Sequence, residues 1–94
     1  MWNNRVVRTK DSDVSTGYSY GIHEVYYDKI NPQIPRSCTL NPTAPFAESF
    51  EELQNVMKMY NEAMKRPILD MEYFDSLERE AVAKDSAINN RMKD

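Results

Sequence analysis

Residues Ser49 to Arg66 constrain the fold more than any other stretch. Ser49 followed by Glu52 is a capping box, in which the serine oxygen accepts a terminal backbone N–H and the glutamate reaches back to another. Phe50, Leu53, Val56, Met57, Tyr60, Ala63 and Met64 then recur at helical spacing, with polar residues between them. Pro67 stops the pattern. The spacing predicts one amphipathic helix over 49–66, and its apolar stripe needs a sheet to cover.

The first half of the chain supplies the strands. Met1 to Arg8 reads as the first, with Trp2 and Val6 inward and Arg5 and Thr9 outward. Lys10 to Gly17 has the composition of a turn. The run Tyr18 to Asp28 follows, holding four of the six tyrosines and the one histidine. Tyr, Ile and Val suit a pleated, half-buried surface. The run is therefore the second strand, in an antiparallel hairpin with the first. Tyr18, Tyr20, Ile22, Glu24 and Tyr26 share the more apolar face, which is assigned to the core with Glu24 at the margin. Arg36 to Leu40, flanked by prolines, reads as a short third strand at an edge, with Cys38 and Leu40 inward. Pro42 and Pro45 mark a loop toward the helix.

After Pro67, Ile68 and Leu69 make a short apolar return. Asp75 and Glu78 offer a second capping box, and a helix over 76–92 follows with a thin stripe of Leu77, Ala81, Ile88 and Met92. The fold class expected is α+β: a three-stranded antiparallel sheet packed against one amphipathic helix, with a second C-terminal helix. Residues 1–74 form the mini-domain, and 75–94 are a helical extension that frays or docks on a second chain.

Several segments together resemble a family of small uncharacterised proteins from bacteria and their phages. They are the tryptophan-led Trp2 to Arg8, the Ile22-His23-Glu24-Val25-Tyr26-Tyr27-Asp28 strand, Glu48 to Leu53, and Pro67-Ile68-Leu69-Asp70. The resemblance covers residues 1–74 and implies an αβ mini-domain. It implies no activity. The chain departs from it in the proline-rich stretch 31–45 and in the extension 75–94.

Composition narrows the function classes. A net charge of −3 argues against general nucleic-acid binding, which usually comes with a basic surplus. Residues 1–40 carry five Lys/Arg against four Asp/Glu, and residues 41–94 carry seven against eleven, so the acid lies in the helical half. Cys38 is the one cysteine, so no intrachain disulfide forms. No stretch approaches the roughly 20 apolar residues of a membrane helix. The N-terminus shows no apolar run of signal-peptide type. A cytoplasmic protein with no membrane association is expected.

Catalytic constellations are thin. His23 and Glu24 are adjacent on a strand and point to opposite faces, so they do not cooperate as acid and base. Cys38 reads as a small apolar group rather than a nucleophile. One His and one Cys are too few for a typical metal site. No enzyme and no cofactor are expected. Arg5, Arg8, His23 and Tyr27 make a candidate ligand platform for a nucleotide or nucleic acid on the exposed sheet face. Met57 and Met64 are assigned to the core, and Met59 to an exposed contact. The leading expectation is a non-enzymatic protein-interaction or regulatory protein, for instance an inhibitor in a phage or host system. Met59, Glu62, Leu77, Ala81 and Ile88 are its candidate contact residues. A homodimer is expected as well, because small domains that bury too little surface alone often associate.

Overall fold

A computed structural model describes the backbone of residues 1–92 and the side chains of residues 1–81. The chain is α+β. Its elements are β1 (Trp2–Lys10), β2 (Tyr18–Tyr27), β3 (Pro35–Cys38), α1 (Phe50–Met64), β4 (Leu69–Asp70) and α2 (Met71–Met92). The strands form one sheet in the order β3-β2-β1-β4.

The β1–β2 hairpin pairs Trp2 with Tyr26 and Lys10 with Tyr18, so its register is continuous over nine pairs. Gly17 closes the connecting loop at φ 81, a left-handed conformation that glycine adopts without a Cβ penalty. The expected edge strand is present as β3, antiparallel to β2 with a bulge at Tyr26/Tyr27, but it ends at Cys38 and Leu40 is exposed rather than inward. Its continuation stays beside β2, where Thr39 and Thr43 donate backbone N–H bonds to the Glu24 and Ile22 carbonyls. Gly21 makes this approach possible, because a Cβ there would lie 2.8 Å from the Pro42 ring.

Several expectations need correction. The sheet has four strands, not three, and it is mixed. Leu69 and Asp70 pair parallel with Val7 and Arg8, which makes the apolar return after Pro67 an edge strand. The second helix begins at Met71, not after Asp75. Its start is held by Asp70, whose Oδ1 accepts the Glu72 backbone N–H at 3.0 Å. The division proposed at residue 74 thus falls inside α2.

A further correction concerns which face is the core. Val7 and Val25 are fully buried, and with Phe74 they form the core cluster, against which Tyr27, Cys38, Leu69 and Met71 pack. These β1 and β2 residues lie on the face read as solvent-exposed. On the face assigned to the core, Trp2, Tyr20 and Tyr26 are exposed. The physical reason is that a tyrosine or tryptophan ring with a polar tip tolerates partial exposure. Val7 and Val25 gain enclosure from residues far along the chain, above all Phe74 of α2.

Helix α1 forms as expected, with Ser49 Oγ accepting the Glu52 N–H at 3.1 Å. Glu52 reaches one residue further back than a capping box requires, to the Glu48 N–H. The helix packs along β1. Ala63 is its buried residue, and Leu53, Val56 and Tyr60 are half-buried. Met57 and Met64 are exposed, contrary to their assignment to the core.

Candidate interaction groove

A groove of about 700 Å³ runs between the edge strand β3 and the first turns of α2. Cys38, Leu40, Met71, Phe74, Leu77 and Ala81 give it an apolar lining. The helical part follows from spacing: Phe74, Leu77, Glu78 and Ala81 lie three, four and seven residues apart and so share one face. Cys38, Met71 and Phe74 belong also to the core or pack on it, so the groove wall is held by the same contacts that hold the fold.

Charge is unequal along the groove. Among the described residues, Asp75, Glu78 and Glu80 line it against one cation, Arg36. Arg36 is itself engaged, donating to Asp28 Oδ2 at 3.2 Å. Asp28 in turn is held below the usual carboxylate range, first by the Ile30 backbone N–H and then by Arg36. On the same edge, the Tyr73 hydroxyl donates to the Pro35 carbonyl at 2.7 Å, which ties α2 to β3.

Cys38 is not activated. Burial, and then the Asp75 charge, push its thiol pKa up, so the nucleophilic thiolate is disfavoured. Its Sγ faces Met71 Sδ at 3.8 Å. His23 is nearly enclosed, at 2% exposure, and its Nδ1–H donates to the Thr39 carbonyl at 2.8 Å. It fastens the chain after β3 to the sheet and does not point outward, as the sequence reading had it.

The candidate ligand platform is distributed across the sheet and engaged internally. Arg5 donates to the Tyr27 hydroxyl at 3.0 Å and to the Pro67 carbonyl at 2.6 Å, with its Nε buried and unpartnered. The Tyr27 hydroxyl in turn donates to Asn3 Oδ1 at 2.8 Å. Arg8 lies on the other face. It donates twice to Asp70 Oδ2, at 3.1 and 2.6 Å, and sits 4.2 Å over the Tyr18 ring. That bond, joined by the Glu72 amide, lowers the Asp70 pKa. These four residues tie the sheet, the α1–β4 connection and β4 together. They do not present one shared exposed surface.

Of the candidate contact residues, Leu77 and Ala81 line the groove. Met59 and Glu62 are exposed on α1, and Glu62 accepts from Lys65 at 3.1 Å. The Ile88 side chain lies outside the described residues. Sequence reasoning missed the contribution of Phe74, Asp75, Glu78 and Glu80; it groups Met71 with Met57, Met59 and Met64 as a candidate protein-binding surface. The signal was present in the Phe74/Leu77/Ala81 spacing, obscured by starting the helix too late.

Among the described residues no helix is long and apolar enough to cross a membrane. No family model, curated protein or solved structure matches the chain.

Proposed function

We propose that the chain is a small non-enzymatic protein-binding module, whose β3–α2 groove takes a segment of a partner rich in Lys/Arg and bulky apolar residues. The observation that carries this is the combination, among the described residues, of an apolar lining with three carboxylates and one already paired guanidinium. The lining supplies contact area. The carboxylates steer a cationic segment and orient it, and the steering weakens as salt rises. Regulation of a phage or host protein by occupying such a segment fits this chemistry.

A peptide-display selection against the chain tests the reading. Selected peptides are expected to combine basic and bulky apolar residues. The exposed double variant Glu78→Lys/Glu80→Lys should bind them at least about tenfold more weakly, a loss of about 1.4 kcal/mol. Leu77→Asp should weaken them too, by placing a charge in the apolar lining. Selected peptides without basic residues, or peptides bound equally by the double variant, would overturn the proposal.

A further inference from the structure

Helix α1 carries a surface independent of the groove. Its apolar stripe is wider than the strip the sheet covers. Leu53, Val56, Tyr60 and Ala63 turn inward, while Phe50, Met57 and Met64 remain 75%, 49% and 63% exposed. These three are spaced seven residues apart, so they stack in one line along the helix. A shallow channel beside them is lined by Leu53, Gln54, Lys58 and Asn61 together with Phe50 and Met57. Three apolar residues at heptad spacing give a line on which a second helix packs, though the positions between them are the amides Gln54 and Asn61.

We infer that the occupant is α1 of a second copy of this chain, packed antiparallel about a two-fold axis at Met57. The line is symmetric about Met57, so an antiparallel copy places Phe50 against the other copy's Met64 and Met57 against Met57. Lys58 meets Lys58 of the second copy in either direction, so the choice falls to the other flanking residues. Gln54 faces Asn61 of the second copy, and Glu51 near the N-terminus faces Lys65 at the C-terminus. A parallel copy would set Glu51 against Glu51 and Lys65 against Lys65, which is repulsive. Antiparallel pairing also opposes the two helix dipoles favourably.

Area decides the strength. A helix of 15 residues offers a seam of roughly 22 Å. Such a pair buries on the order of 800 Å² in total, below the range of stable interfaces. The dimer is therefore weak and concentration-dependent, and the groove between β3 and α2 stays free in it.

Sedimentation across about 1 μM to about 1 mM should show the mean mass rising from one chain toward two. Met57→Glu, at an exposed position, should keep the far-UV circular dichroism of the parent and remain monomeric throughout. Direction is read by oxidative cross-linking in a Cys38→Ser background. Met57→Cys should cross-link to itself, and Phe50→Cys should cross-link to Met64→Cys but not to itself. A monomer at every concentration, a dimer indifferent to Met57→Glu, or self-linking of Phe50→Cys would each overturn the inference. The cross-linking pattern decides the matter if Met57→Glu fails to fold.

Discussion

Helix α1 presents seven apolar residues in one stripe and fully buries one of them, Ala63. Helix α2 has a weaker stripe, yet it delivers Phe74 into the cluster with Val7 and Val25. The difference shows that burial depends on where a helix lands rather than on how amphipathic it is. Helix α2 leaves β4 directly at Met71, so its first turns must pass beside β1 and β3. Helix α1 arrives through a long loop and lies along β1, with part of its stripe left over. One helix completes the core. The other lies along β1 and leaves an apolar line exposed.

The sharpest way to break this comparison is to substitute neighbouring strand residues that point to opposite faces. Val25→Ala should cost about 2–4 kcal/mol, because a fully buried side chain leaves a cavity. Tyr26→Ala next to it should cost less than about 1 kcal/mol, since Tyr26 is exposed. Urea unfolding of both variants measures the gap, and equal losses would mean that the core face is misassigned.

A smaller effect probes the tether between α1 and β4. Arg5→Ala removes the bonds to Tyr27 and the Pro67 carbonyl and should cost about 1–2 kcal/mol. Hydrogen exchange of residues 65–70 should rise in the same variant. Unchanged protection there would show that the arginine does not hold the connection.

The smallest effect is in pH dependence. Asp70 has its folded pKa lowered by Arg8 and the Glu72 amide. Its contribution is therefore present above the unfolded value of about 3.9 and is lost as pH falls through the folded value. Asp28 acts in the same direction. Asp70→Asn should be less stable than the parent at about pH 6, and the gap should narrow as pH falls below about 3.9. Parallel curves over that range would remove Asp70 from the account.

Much of the local structure was legible. Ser49 and Pro67 bound α1, the Tyr18–Tyr27 run pairs with the N-terminal strand, and the prolines around β3 place it at an edge. Features set by distant parts of the chain were not legible. Counting apolar residues on β2 favoured the tyrosine face, because nothing local says that Phe74 and Leu69 will cover Val25 and Val7. The two-residue β4 is too short for a periodic signal and exists because Val7 and Arg8 are beside it. The groove escaped notice for the same reason, since β3 and α2 meet only in the fold.

A matched pair of substitutions tests the contrast between the helices most directly. Phe74 is 7% exposed and Phe50 is 75% exposed, so Phe→Ala at each is the same chemistry in opposite environments. Urea titrations at sub-micromolar concentration keep self-association out of the measurement. Phe74→Ala is expected to lose about 3–5 kcal/mol and Phe50→Ala to stay within about 0.5 kcal/mol of the parent. Equal losses, or a larger loss at Phe50, would contradict the assignment of α2 to the core and of the outer α1 stripe to the surface.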